Sequence, residues 1–476
     1  MTQSLLLFAL GMLITVPTIV IGALHKAKEG LSLNDQQASW FAGLLLIFQP
    51  VGSILSGMLQ EPMGRKKCMI LVNLPQLAGW LLVYYAQSVE TLFLAAICMG
   101  FSVGFKEAPT LSYVGEISQP HLRGTLASFT SVYVSVGNVF MFLLGSVTDW
   151  RTTAAISTVV PVVTAIAISQ MPESPVWLLM KERDEEALKS LCWLRGWVTP
   201  DKVESEFCLM KKHARNKVEE SSTYLPLPLN AGSEEVEAET PARGRKSLVE
   251  NLKELMKPSF VKPLRLVVVY FLFMHCASTF GSRPYLVHVL SRLNVPIRPH
   301  LVTVMAGVMQ TCGSLVCMGL ARKVGRRKLS MISMAMCSSI TVSLGLYSLL
   351  QERAGIEASW VPLILIVFLF FSTYVGIGVI PWTLLAEVFP SRHRGLGGGI
   401  SAAMYYVWFF VVSKTFLDLE RWLQLFGVYF FYGMLGMCGI VFLYFFLPET
   451  EGKRLDEVEH FFATKRTDKR RAPHII

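Results

Sequence analysis

Long uncharged apolar runs alternate with short polar breaks along most of the chain, and each run is close to twenty residues. A helix rises about 1.5 Å per residue, so such a run matches a hydrocarbon core of roughly 30 Å. The pattern predicts spans at 4–24, 38–60, 68–87, 91–114, 125–147 and 152–170, then 264–290, 300–321, 328–350, 360–386, 395–418 and 422–447. The first run has no basic leader and no small-residue cleavage site, so it reads as a retained helix and not a secretory signal.

One long polar segment, 171–263, breaks the series. Its first part, "MKERDEEALKSLCWLRG", has helical charge pairs with Leu188, Leu191 and Leu194, which predicts short cytosolic helices. Its middle, "EESSTYLPLPLNAGSEEVEAETPARGRK", mixes acidic, proline and small residues without a period and reads as a disordered linker. The predicted domains are a six-helix bundle over 1–170, a linker over 171–263, a second six-helix bundle over 264–447 and a cytosolic tail over 448–476. The fold class is an all-α membrane protein of twelve spanning helices.

Three landmarks recur in the same order in both halves. "GMLQEPMGRKK" follows the second span and "MGLARKVGRRK" the eighth; "YVGEISQPHLRG" follows the fourth and "LAEVFPSRHRG" the tenth; "MPESPVWLL" follows the sixth and "LPETEGKRL" the twelfth. Three matches in register indicate a duplicated unit. Duplicated bundles suit a transporter whose halves rock about a site near the membrane midplane.

Composition sharpens this. The chain is 52% hydrophobic and 16% charged, against about 25% charged in soluble domains, which excludes a soluble protein. The net charge of +10 is concentrated: Arg65, Lys66 and Lys67 share one connection, and Arg322, Lys323, Arg326, Arg327 and Lys328 another. Both fall on one side if the spans alternate, as do Arg392, Arg394 and the basic tail. The positive-inside rule then puts both termini in the cytosol and makes a nucleic-acid partner unnecessary.

Gly64 and Gly325 precede the basic clusters and allow tight reversals. Glu61, Arg65, Glu116, Arg123 and Glu173 in the first half, and Arg322, Arg326, Glu387, Arg394 and Glu449 in the second, form a candidate gating network. An exposed pair contributes ~1 kcal/mol or less. Reversing a two-state population takes roughly 5 kcal/mol, so a gate needs the whole network. Simple anchoring of helix ends is the plainer reading of any one residue.

"GRKK", "GEISQPHLRG", "PESPVWLL", "PWTLLAEVFPSRHRG" and "PETEGKRL" resemble the signatures of the sugar porter family in the major facilitator superfamily. "APTLSYVGEISQP" and "FFVVSKTF" are similar to its insect facilitated trehalose transporter branch. The resemblance implies alternating access to a small-molecule solute, a sugar such as trehalose or a hexose, by a monomer in the plasma membrane without cofactor or metal. Among the site positions it implies, Trp382 is retained. His275 and Cys276 replace a glutamine pair, and Gly281 replaces an asparagine. Gln310 replaces another asparagine, Tyr405 and Tyr406 an asparagine–tryptophan pair, and Ser131 a glutamine. Amides suit sugar hydroxyls, so this site is less polar than the family pattern. Arg322 stands where the family has an acid; set against Arg123 it would bias the protein toward opening to the cytosol.

Lys106 and Glu107 lie within the fourth span and Arg283 within the seventh, where a charge costs about 2.5–3.5 kcal/mol. Glu107 is read as facing the cavity or bridging to another helix, Lys106 as snorkelling toward the cytosolic interface, and Arg283 as lining the external entrance or snorkelling outward. The first span has no ionisable residue. That favours facilitated diffusion over proton symport, although Glu107 and His275 keep symport open. There is no Walker lysine motif, and "GLGGGI" opens a membrane helix with no strand before it. An enzyme is not expected. A non-transporting nutrient receptor on the same scaffold is the remaining alternative.

Overall fold

The computed structural model describes residues 4–27, 30–117, 123–212, 258–355, 360–385, 387–389, 394–451 and 461–462. The middle of the linker and the basic tail lie outside these residues, as do the side chains of Arg123 and Arg394. The first half contains α1 (Ser4–Leu24), α2 (Asp35–Met63), α3 (Arg65–Tyr84), α4 (Val89–Ile117), α5 (Arg123–Val147) and α6 (Trp150–Ser169). Two short helices, Pro175–Met180 and Asp184–Leu194, follow it. The second half contains α7 (Pro258–Ala277), α8 (Pro299–Val324), α9 (Arg326–Ala354) and α10 (Trp360–Leu384). One long helix, Arg394–Phe446, completes it. Gln424, at φ 57, breaks that helix into α11 (394–423) and α12 (425–446), so among the described residues eleven apolar helices make the twelve expected spans.

Short caps fix several ends. Asn34 and Gln37 form a reciprocal capping box at the start of α2. Asp149 caps α6, and hydrogen bonds from the Thr152 hydroxyl and backbone hold its carboxyl below the usual range.

Glycines bring helices within each half to backbone contact. A Cβ on Gly11 would lie 2.1 Å from the Val134 carbonyl and one on Gly137 2.1 Å from that of Phe8, which joins α1 to α5. Gly52, Gly100 and Gly104 meet the carbonyls of Phe101, Leu45 and Gln49 and join α2 to α4 in the same way. The two halves meet more loosely, along α5 with α8 and α2 with α11. There Gly307 faces the side chains of Phe142 and Val139, and Gly43 faces the Phe410 ring.

Two expectations change. The seventh span is not one helix over 264–290: it begins at Pro258 and stops at Ala277. Thr279 is left-handed at φ 48, Phe280–Tyr285 is a 3₁₀ turn, and Leu286–Arg292 resumes as a short helix. Pro284, which has no N–H to continue the helix, lies inside that turn. Lys106 does not snorkel. It is 1% exposed, and its ammonium donates to Gln76 Oε1 inside the first half, because its side of α4 faces α3 and not the membrane surface.

Candidate functional site

At the junction of the halves, rings from α7, α10 and α11 crowd together. The Tyr405 ring centroid lies 4.7 Å from those of both Trp382 and His275, and 5.0 Å from that of Phe271. Phe409 and Phe280 close the far side of His275, at 5.5 and 5.1 Å. His275 is wholly buried, and its Nδ1 donates to the Phe271 carbonyl at 2.6 Å. That bond puts a proton on Nδ1, which in the neutral ring leaves Nε2 as the acceptor, and Nε2 has no partner. A buried acceptor without a donor thus stands among tilted and edge-on rings.

Polar groups also pair across the seam between the halves, at two places. Tyr406 donates to Glu107, a link across 299 residues from α11 to α4. Gln310 Nε2 donates to Ser135 Oγ at 3.3 Å, and Ser135 lies 3.2 Å from Ser314 Oγ, which joins α8 to α5. Ser131, one turn before Ser135, takes no part in that link. Cys276 is buried within the hydrophobic core, since neighbours on a helix point to different sides. Sequence reasoning missed Ser135, Phe271 and Phe280; the ring spacing of Phe271 and His275, four residues apart on one face, was the available signal.

Arg283 is half-buried and held by rings. Its guanidinium lies 3.6 Å over the Phe280 ring and 4.7 Å from that of Phe370. Its Nη1 reaches Tyr374 Oη at 3.5 Å, and no described carboxylate comes within salt-bridge distance. Lys106, in the core of the first half, also lacks a carboxylate partner among the described residues.

At the end carrying the basic clusters, each half builds the same knot. Glu173 accepts from the backbone N–H groups of Arg65 and Lys66 at 3.1 Å, and Glu449 from those of Arg326 and Arg327 at 2.9 and 3.1 Å. Arg65 Nη2 lies 2.9 Å from Glu116 and 3.3 Å from Glu61. Arg326 pairs with Glu387 and lies 2.8 Å from Glu451. The expected partners of Glu116 and Glu387, Arg123 and Arg394, have side chains outside the described residues. Arg322 is exposed at the end of α8. Between described residues, every ion pair at this end stays within one half.

The far end differs. Arg421 of α11 reaches Asp35 of α2 at 2.5 Å, and His25 and Lys26 add bonds of 2.8 and 3.0 Å to the same carboxylate. Thr18 donates to the Arg283 carbonyl at 2.9 Å, and the rings of His25 and His288 meet edge-on at 5.4 Å. The halves are therefore shut against each other at this end. No signal in the sequence pairs these residues, which are 386 apart in the case of Asp35 and Arg421.

Residues 12–462 match the sequence profile of the family described as "Sugar (and other) transporter". The facilitated trehalose transporter Tret1 of Polypedilum vanderplanki is 28% identical over 431 residues, 90% of this chain and 80% of that protein. The Tret1 of Culex quinquefasciatus is 28% identical over 429 residues, 90% of this chain and 78% of its own length. Among solved structures, the inward-open xylose transporter XylE from E. coli aligns with TM-score 0.71 at 19% identity, covering 97% of this chain and 98% of that one. The proton:xylose symporter XylE bound to 6-bromo-6-deoxy-D-glucose aligns with TM-score 0.69 at 19% identity, covering 97% of each. At these identities the structures establish the fold.

Proposed function

The chain belongs to the sugar transporter family of multi-pass membrane proteins, and from that premise we propose that it moves a sugar, trehalose or a hexose, down its gradient by alternating access. The observation that carries this reading is the ring cluster of His275, Trp382 and Tyr405 beside the Glu107–Tyr406 bond between the halves. Rings pack on the apolar face of a sugar, while the unpaired His275 Nε2, Gln310 and Glu107 supply acceptors for its hydroxyls. Opening the site requires only that the halves separate, and each half is internally stiffer than the seam between them. The knots around Arg65 and Arg326 hold each half together while Asp35–Arg421 breaks and re-forms.

The same reading puts the basic end in the cytosol with both termini, the protein in the plasma membrane, and one chain as the working unit with domain boundaries near 170, 263 and 447. Uniport is favoured because α1 carries no ionisable residue. The relatives named Tret1 are facilitated transporters by name, which agrees.

Uptake of labelled trehalose and glucose into proteoliposomes of the purified chain tests the proposal. Trp382→Ala should lower uptake about tenfold with no loss of folded protein. Unchanged kinetics would remove Trp382 from the site, and no saturable uptake of any sugar by the wild type would end the reading. A second reading, proton symport, rests on Glu107, a carboxylate bonded between the halves. Inward current that grows as external pH falls would establish it in place of uniport.

A further inference from the structure

The charge at Arg283 has no counterpart in the transport of a neutral sugar. Phe280 covers one face of its guanidinium at 3.6 Å and Phe370 approaches at 4.7 Å, so the cation is held by ring faces. Ring faces leave the edge of a guanidinium free, and it is the edge that carries the N–H donors. Of these, Nη1 has one long bond to Tyr374 at 3.5 Å, and Nε is buried with no partner at all. An arginine kept only to staple a helix break would spend those donors on the carbonyls that the break exposes. None of them does so: the Arg283 carbonyl is itself taken by Thr18, and the turn's other bonds are between backbone groups and Ser282. Beside the guanidinium lies a cavity of about 10 Å³, lined by Thr279 and Ser282 and otherwise mainly by apolar side chains such as Leu286, Leu344, Ile366 and Leu369.

Phe280 links this group to the central site, since it contacts the Arg283 guanidinium and also the His275 ring at 5.1 Å. Tyr374 of α10 also touches the guanidinium. Arg283 is thus a cation one ring away from the proposed sugar site, with idle donors in the planar fork that matches a carboxylate. Glu107 is the other charged group at the site, but it comes from α4 and is engaged by Tyr406. The site therefore has a positive end on α7 and a hydroxyl-accepting end on α4 and α11. Lys106 does not compete, being enclosed within the first half against Gln76.

We infer that the preferred solute is a sugar acid of the hexuronate class, its carboxylate received by the edge of Arg283 and its hydroxyls by the opposite end of the site. This rests on the sugar-transport reading above. The experiment uses the full chain in proteoliposomes with labelled glucuronate and labelled glucose, each competed by the other. Glucuronate should be taken up and should inhibit glucose uptake. Arg283→Gln should lower the ratio of glucuronate to glucose uptake at least tenfold, and Arg283→Lys, a charge without the fork, should fall between. The ratio is independent of how much variant folds. If Arg283→Gln transports neither solute, the ratio in Arg283→Lys decides: a fall supports the assignment and an unchanged value overturns it. Glucose uptake with no glucuronate uptake or competition overturns the inference and leaves the sugar reading standing. Glucuronate uptake with an unchanged ratio in Arg283→Gln overturns the role of Arg283. Loss of saturable uptake for both in the wild type ends the sugar reading itself.

Discussion

The knots at the basic end of the two halves are built from duplicated sequence, yet they satisfy their arginines differently. In the first, Arg65 is 2% exposed and is held by Glu116, by Glu61 one turn earlier and by the Gln60 carbonyl. In the second, the position equivalent to Glu61 is Arg322, and the third acid is Glu451, which stands where the first half has Pro175. The acid has moved from the helix to the loop beyond α12. A guanidinium enclosed by protein needs its charge answered, but it does not matter which element supplies the answer. The backbone part of the knot, where Glu173 and Glu449 accept from the turn, is the same in both.

Three perturbations probe this comparison. The largest effect is expected for Glu116→Gln, which leaves buried Arg65 with Glu61, whose side chain is 56% exposed, as its one acid among the described residues. The loss should be on the order of 3 kcal/mol, read from thermal unfolding in detergent. Glu387→Gln should cost less, because Glu451 still lies 2.8 Å from Arg326. Equal losses would remove the asymmetry. Next come Gly64→Ala and Gly325→Ala, which act on the shared part. Both glycines have positive φ, 94 and 88, and an added Cβ would lie 2.4 Å from the Glu173 or Glu449 carboxylate. Each should cost about 1–2 kcal/mol in the same assay, and a clear difference would break the equivalence. The smallest effect is expected at the relocated acid. Glu451→Gln should cost ~1 kcal/mol and Glu61→Gln about 0.5 kcal/mol or less, since Glu61 is the more exposed. Arg322→Glu should recover part of the Glu451→Gln loss by restoring the first-half arrangement. No recovery would mean that the two positions are not interchangeable.

Much of this architecture is legible in the sequence, because lipid demands long apolar runs and the duplicated strings keep their order. The spans, the halves and the membership of Arg65, Glu116 and Glu173 in one cluster follow from that. Their pairing does not. Glu116 and Arg123 are seven residues apart, which suggests partners, but the bond from Glu116 to Arg65, 51 residues away, has no such local signal, and the Arg123 side chain lies outside the described residues. Lys106 was misplaced for a related reason: hydropathy locates a charge along a span but says nothing of which neighbour its side faces. The break after Ala277 falls at "STFGSRP", where Ser278, Thr279, Ser282, Arg283, Gly281 and Pro284 hinted at it within an otherwise apolar run. Aromatic site residues were reachable by resemblance. Contacts such as Glu107–Tyr406 and Asp35–Arg421 join distant segments, and no local period encodes which helices are neighbours.

The glycines that press against carbonyls within the first half also carry a genetic consequence. Any single-base change that alters a glycine codon's meaning adds at least one carbon atom or stops translation. At Gly11, Gly52, Gly100, Gly104 and Gly137 even one carbon would sit within 2.2 Å of a backbone oxygen. These codons have no mild amino-acid variant available to them, whereas the Gly43 and Gly307 codons, facing side chains that are able to shift, do. Inherited or selected loss of this transporter should therefore fall disproportionately on the glycines packed against backbone inside a half, and less on those that face side chains across the seam.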